Sequence, residues 1–393
     1  MIEYDYIIVG AGIAGIKAVE GIRSVDSNGK ILLINGEDRA PYKRTQISKQ
    51  LVNGFEKDAF AIHAPDWFDA NSVTVISNLM HTFSIDNKTL VTKNHQLFHW
   101  NKLILAMGSS PTPLALKGNG KTEINYFRTA YDAEQLILKA KEIKRVLVIG
   151  GGVLGIELAS ALAQMGKTVS LVHAQSLLMH RQLDEALSDH LYSLLQSNGI
   201  QVIMDEKIKS VSKTGNGKLL VEIGEMIHLL TDFIIAANGV TPSFLLAEKA
   251  GLEVGKGIKV NNFLQTSHPD VFAAGDVAQH PNGQVSGLWH DAENQGYLAG
   301  VNAAGRPSER SKRKFRMKLE VFGQFYFSLN VPKFSKSKKE LVHEKNNMYY
   351  RFFFEESKLD GVLMLNDKVN AKQLEKAVNE GWDREKVIEV FCQ

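Results

Sequence analysis

Two glycine-rich turns of one pattern constrain this chain more than any other feature: Gly10-Ala11-Gly12-Ile13-Ala14-Gly15 near the start, and Gly150-Gly151-Gly152-Val153-Leu154-Gly155 far inside. Each follows a short β-rich run, Tyr6-Ile7-Ile8-Val9 or Arg145-Val146-Leu147-Val148-Ile149, and each opens an amphipathic stretch of helical period. In that setting every glycine has a physical task. Gly10 and Gly150 permit the tight strand-to-helix turn, Gly12 and Gly152 let backbone approach a pyrophosphate, and Gly15 and Gly155 allow the helix to pack closely on its strand. One isolated copy is a weak signal, because glycine is common in turns before helices. Two copies in the same strand-turn-helix register point to an α/β chain that holds two dinucleotides.

The bulk properties narrow the class. With 393 residues the chain has room for two or three domains, and 44% hydrophobic with 23% charged residues is ordinary globular composition, which excludes disordered and fibrous classes. The sole cysteine is Cys392, so one chain can build no disulfide framework, dithiol pair or cysteine-rich metal site. The histidines are scattered, and no metal-ligand grouping is expected. No apolar run approaches the ~20 residues needed to cross a bilayer, and the first strand begins without a signal-peptide pattern. The expectation is a cytoplasmic protein without membrane association. A formal net charge of +3 does not by itself indicate nucleic acid.

Past the first fingerprint, a helix is expected to about Val25, then a turn at Ser27-Asn28-Gly29 and a second strand at Lys30-Ile31-Leu32-Leu33-Ile34. Glu37 follows, about twenty positions beyond the last glycine, where a carboxylate accepts hydrogen bonds from the hydroxyls of an adenosine ribose.

Downstream, Thr266-Ser267-His268-Pro269-Asp270-Val271-Phe272-Ala273-Ala274-Gly275-Asp276 resembles the second flavin signature of the two-dinucleotide-binding-domain flavoproteins, within the pyridine nucleotide-disulfide oxidoreductase superfamily. The resemblance implies FAD, with Gly275 and Asp276 at the ribityl chain near the pyrophosphate. Leu103-Ile104-Leu105-Ala106-Met107-Gly108 resembles the Ala-Thr-Gly segment by which such chains leave the FAD domain, with methionine in place of threonine. Ile234-Ile235-Ala236-Ala237-Asn238-Gly239-Val240-Thr241-Pro242 resembles the return crossing. By that resemblance, Ala106, Gly108 and Gly239 lie beside cofactor. The implied architecture is two Rossmann-like dinucleotide-binding domains, the NAD(P) domain (113–241) inserted in the FAD domain (1–112 and 242–306), followed by a C-terminal α+β domain (307–393).

Pro41-Tyr42-Lys43-Arg44-Thr45-Gln46-Ile47-Ser48-Lys49 is similar to the Pro-Tyr-x-Arg-x-x-Leu-Ser-Lys loop of ferredoxin reductases, NADH:rubredoxin reductases and the flavin portion of assimilatory nitrite reductases. Arg44 and Lys49 are the cofactor candidates there. Dithiol relatives carry a cysteine pair near this region and this chain does not, which argues against a disulfide reductase or a cysteine-sulfenate oxidase. Glu157 lies about two helical turns past Gly150, so it reaches back along the face that carries bound nucleotide. In related flavoproteins the residues matching Lys49 and Glu157 form an ion pair beside the flavin N5 and the nicotinamide amide, which orients the hydride donor. Trp289, in Trp289-His290-Asp291-Ala292-Glu293-Asn294-Gln295-Gly296, is similar to a tryptophan that sits against the isoalloxazine near the acceptor's docking place. Nothing in the spacing of His63 or His290 supports an acid role.

The nicotinamide cofactor stays open between NADH and NADPH. The strand Thr168-Val169-Ser170-Leu171-Val172 ends not in the acidic residue that selects NADH but in His173, and a protonated His173 or nearby Arg181 is suited to a 2′-phosphate. The habit of the family favours NADH. The last portion reads as strands around Tyr349–Phe354 and Gly361–Leu365 with a helix near Asn370 to Asn379. Before it come Arg306, Arg310, Lys312, Arg313, Lys314, Arg316 and Lys318, and then Lys333, Lys336, Lys338 and Lys339. These charges are readable as a solvated linker, or as an electropositive rim that steers a small acidic carrier such as rubredoxin or ferredoxin. No nucleic-acid motif accompanies them. The expected activity is an FAD-dependent NAD(P)H oxidoreductase serving such a carrier, with an oxidase acting on oxygen or a quinone-like acceptor as the alternative, and a non-catalytic redox sensor as a third class. Either a monomer or a homodimer is compatible with the sequence.

Overall fold

The computed structural model describes residues 2–56, 58–311, 314–331 and 339–393. Lys312, Arg313, Lys333, Lys336 and Lys338 of the two basic runs lie outside the described residues. The fold is mixed α/β and divides into two compact units, one made of Met1–Ile47, Phe55–Thr112 and Val240–Arg313, the other of Ser48–Gly54, Pro113–Gly239 and Lys314–Gln393.

The first unit is built on a seven-stranded sheet whose path runs Val73–Ser77, Ile31–Asn35, Ile2–Val9, Leu97–Leu105, Thr89–Thr92, Met80–Ser84. The first four are parallel and the last two join antiparallel. Leu97–Leu105 is long enough to serve two partners on one edge, with Thr89–Val91 beside its beginning and Val271–Ala273 beside its end. The central residues Ile7, Ile8, Leu32, Leu33, Leu103 and Ile104 are wholly buried, as expected for parallel strands covered on both faces.

On this sheet the first fingerprint helix, Ile13–Arg23, packs against Trp289–Ala303 at backbone distance. A Cβ added at Gly21, Gly296 or Gly300 would come within 2.1 Å of the carbonyl oxygen of Tyr297, Ala14 or Ala18 respectively. Only glycine permits that approach.

The second unit carries a five-stranded parallel sheet in the order Gln201–Ile203, Thr168–Val172, Arg145–Ile149, Phe233–Ala236, Ile124–Tyr126. Beside it lies an antiparallel three-stranded sheet, Ile208–Lys213, Leu219–Ile223 and Ile227–Thr231. The C-terminal part of the unit is a five-stranded antiparallel sheet followed by the helices Ala371–Glu380 and Arg384–Phe391, closed over its own core of Phe327, Phe352, Met364, Leu374 and Val387. Asp184 ties the parts of this unit together. Fully buried, it caps the helix Glu185–Ser197 through the Leu187 amide (3.0 Å) while accepting from Arg351 (2.8 Å) and Tyr349 (3.0 Å) of the C-terminal sheet. A buried carboxylate with three donors, one of them a cation, is compensated.

Part of the basic run is paired with carboxylates. Arg310 places one guanidinium nitrogen 2.9 and 2.8 Å from the two oxygens of Asp291. Lys314 lies 3.3 Å from the Asp360 carboxylate and donates to the Val378 carbonyl at 2.8 Å. Arg316 and Lys318 share Glu375, at 2.7 and 3.2 Å. These four cations each lie within ion-pair distance of a carboxylate, whereas Arg306 of the same run reaches the Ser24 hydroxyl at 3.3 Å.

Candidate functional site

The two fingerprints adopt one geometry. Gly10 and Gly150 are left-handed, at φ +106° and +115°, and a Cβ on either would meet the carbonyl oxygen of the crossing segment, Ala106 at 2.3 Å or Ala237 at 2.4 Å. Gly15 and Gly155 are closed off in the same manner, 1.9 and 1.8 Å from the carbonyl oxygens of Gly10 and Gly150. Gly12 and Gly152 stand apart: a Cβ there would meet nothing within 4 Å. Each caps its helix, Ile13–Arg23 or Val153–Gln164, without a side-chain cap, and neither helix has an acidic residue in its first turn. The result is two helix N-termini with free backbone donors, a positive dipole end and open space, the physical requirements for a pyrophosphate.

Within the first unit, Glu37 and Arg44 form an ion pair, and Tyr42 joins it by donating to Glu37 at 2.8 Å and accepting from Arg44 at 3.1 Å. The Arg44 guanidinium also lies over the Tyr42 ring, 5.2 Å from its centroid. The structure thus brings together two residues proposed separately, and adds Tyr42. Asp276 sits in a short 3-10 turn, Gly275–Val277, and accepts from the Ser109 hydroxyl at 2.8 Å. The turn itself is held by Gln295, whose carbonyl accepts the Gly275 amide at 2.8 Å while its NH2 donates to Asp291 at 2.8 Å. Gly108 and Gly275 are both left-handed, at φ +66° and +80°. Trp289 begins its helix half-buried, packed on the core of this unit. His290 pairs with Glu293 (2.9 Å), and His63 pairs with Glu20 (2.9 Å) and stacks on Trp67 with ring centroids 4.0 Å apart.

Within the second unit, Gly239 is left-handed at φ +117° with open space around it. The half-buried Glu157 receives its hydrogen bond from Ser48, Oγ to Oε2 at 2.6 Å, and the exposed Lys49 acts on it through charge. Burial pushes the Glu157 carboxyl above the ordinary carboxylate range, opposed by that hydrogen bond and by Lys49. Ser48 was not singled out from the sequence, although it stands in the same loop motif. His173 ends its strand as expected, but both ring nitrogens are engaged: Nδ1 accepts from the Gly151 amide at 3.1 Å and Nε2 faces the Leu177 carbonyl at 3.2 Å. Burial, reinforced by His180, holds its pKa below the ordinary value, against the opposing pull of Leu177 and Asp205. Both ring nitrogens are thus engaged by backbone groups, while Arg181 is exposed on the same loop.

Residues 4–296 match the family described as pyridine nucleotide-disulphide oxidoreductase. The chain belongs to that family. Family membership implies FAD and a pyridine nucleotide, and the paired open turns at Gly12 and Gly152 fit two such groups. Among curated relatives, this chain is 28% identical over 375 residues to the assimilatory nitrate reductase electron transfer subunit of Bacillus subtilis, an alignment covering 94% of this chain and 48% of that protein. It spans about half the length of that subunit and of the same organism's nitrite reductase. It is 33% identical over 277 residues to a rubredoxin-NAD(+) reductase of Pseudomonas putida, covering 69% of this chain and 71% of the relative. The solved NADH:rubredoxin oxidoreductase of Clostridium acetobutylicum superimposes with a TM-score of 0.78 at 25% identity, over 97% of this chain and 96% of that one. The disulphide of the family name has no counterpart in a chain whose single cysteine is Cys392, a half-buried thiol whose pKa is raised by burial. None of the helices among the described residues is long and apolar enough to cross a membrane.

Proposed function

We propose that this chain is an FAD-dependent NAD(P)H oxidoreductase, drawing on NADH and delivering electrons to a small one-electron carrier protein of the rubredoxin or ferredoxin type. The carrying observation is the repeated turn geometry, in which the two fingerprints leave the second glycine open and close the first and third. FAD, when bound, supplies acceptance of hydride as an electron pair and release of electrons singly. In this reading the residues of the first unit would bind it: Gly12 would leave room for the pyrophosphate, the Glu37 carboxylate, held by Tyr42 and Arg44, would take the ribose hydroxyls, and Asp276 would hold the ribityl chain. Gly152 opens the second turn to NADH. Glu157 would orient the nicotinamide carboxamide, and the Lys49 ammonium would supply positive charge beside the hydride-accepting centre. Names of relatives that pair NAD(+) or NADH with rubredoxin support both the donor and the carrier class.

The test is an anaerobic titration of the purified protein with NADH, followed by addition of a rubredoxin or ferredoxin, and separately of oxygen. Loss of the oxidised-flavin band followed by fast carrier reduction supports the reading. Bleaching followed by rapid oxygen consumption with every carrier inert replaces it with the oxidase. A protein that binds no flavin, or whose flavin NADH leaves oxidised, refutes it.

A further inference from the structure

The position that ordinarily separates NADH from NADPH is occupied here by a side chain committed to the scaffold. An acidic residue at the end of the second strand accepts hydrogen bonds from the ribose hydroxyls of NADH, and its charge repels the 2′-phosphate of NADPH. In this chain that place falls to His173, just past Thr168–Val172. The Gly151 amide can only donate, so Nδ1 is an acceptor, and the Leu177 carbonyl can only accept, so Nε2 carries the proton. The ring is a neutral imidazole with both nitrogens taken. It has no acceptor left for a ribose hydroxyl and no charge to set against a phosphate.

The same ring clamps the fingerprint. Gly151 is held through its amide by His173 and through its carbonyl by the Met179 amide at 2.9 Å. A Cβ at Gly151 would lie 2.8 Å from the His173 ring and 2.6 Å from Leu178, so the loop closes directly over this residue. Beyond the clamp, the charged groups on this face are of both signs. Asp205 and the exposed Arg181 bracket the His173–His180 pair, whose ring centroids are 6.0 Å apart.

We propose that His173 removes discrimination at the nucleotide 2′ position, so that the second fingerprint accepts NADPH as well as NADH, with affinities within about tenfold of one another. This rests on the reading that the second fingerprint holds the pyridine nucleotide. His173 is a specificity-determining residue by what it withholds, and its hydrogen-bonding duty is to the turn.

The experiment is calorimetric titration of the flavin-loaded protein with ADP and with its 2′-phosphorylated counterpart, adenosine 2′-phosphate 5′-diphosphate, fragments that differ only in the 2′-phosphate and whose binding involves no hydride transfer. Wild-type dissociation constants within about tenfold are expected. His173→Gln, which can accept from Gly151 and donate to Leu177, should keep that ratio, whereas His173→Glu should turn it toward ADP by at least about tenfold. Preference of the wild type for ADP by a hundredfold or more, abolished in Asp205→Asn, would assign discrimination to Asp205 and overturn the proposal. A wild-type ratio within tenfold that His173→Glu leaves unmoved would overturn the role of His173. If neither fragment binds the loaded protein, the second fingerprint is not a nucleotide site, and the functional reading fails before this one is reached.

Discussion

Replacing Ser48 by alanine isolates the contact that the structure sets between the loop before Lys49 and the helix that carries Glu157. The hydroxyl donates to Glu157 Oε2 at 2.6 Å, and burial already raises this carboxyl. A hydrogen bond to a charged group contributes roughly 1.5–3 kcal/mol, and each pKa unit corresponds to about 1.4 kcal/mol. Losing the donor removes stabilisation of the ionised form, so the carboxyl pKa rises further, by about one to two units. The assay is anaerobic rapid mixing of the flavin-loaded protein with NADH across a pH series, reading loss of the oxidised-flavin band. The limb governed by Glu157 should move to higher pH by one unit or more in Ser48→Ala, and return toward the wild type in Ser48→Thr, which restores a hydroxyl. A limb that stays in place in Ser48→Ala, with FAD content and thermal melting unchanged, would refute the assignment of the Ser48 contact to the reaction.

Three further outcomes are expected. Gly12→Ala should fold with an unchanged melting temperature yet lose FAD, because its Cβ enters space that only a bound group would fill, whereas Gly15→Ala should cost about 3 kcal/mol or more from the 1.9 Å approach to the Gly10 carbonyl; flavin content and melting temperature read the two effects separately. Burial, with the Arg310 charge beside it and Asp291 opposing, depresses His280 to about 4, so the neutral ring contributes stability that is full above its unfolded value near 6.5 and is lost as pH falls toward 4. Denaturant titrations should show about 3 kcal/mol of loss across that window, and His280→Gln should flatten it, whereas an unchanged slope would argue against burial of the neutral ring. Trp289→Ala should slow carrier reduction while leaving flavin bleaching by NADH within about twofold, which steady-state and single-turnover rates on one preparation can separate.

The glycine turns were legible because their constraint is local: the φ of Gly10 and the crowding at Gly15 arise within a strand-turn-helix, so spacing alone carries them. The same holds for the strands at Ile31–Asn35 and Thr168–Val172, whose buried apolar runs are contiguous in sequence. Ser48 escaped because its partner lies 109 residues away, and nothing in the loop tells whether the serine or its neighbouring lysine will meet a carboxylate. The hydrogen bonds of His173 carry no local signature, since only tertiary structure sets the Gly151 amide and the Leu177 carbonyl against its two nitrogens. The pairings within the basic run were hidden for a related reason. Arg316 and Lys318 alternate along a strand and meet Glu375 on a helix 59 residues beyond Arg316, a pairing with no local signature.

The glycine seam between Ile13–Arg23 and Trp289–Ala303 sets an order of events during synthesis. The helix that opens the first fingerprint leaves the ribosome early, but the surface made for it, where Gly21 meets the Tyr297 backbone, is translated only after the whole of Pro113–Gly239. Nascent chain up to that point carries the turn at Gly10–Gly15 on a sheet that still lacks Val271–Ala273 and on a helix without its partner. The inserted segment, continuous in sequence, has no such wait for its central sheet. On the proposed function, flavin capture by the first turn would therefore belong late in biogenesis, after the turn at Gly150–Gly155 has its strands around it, and a nascent chain arrested before residue 289 should emerge colourless.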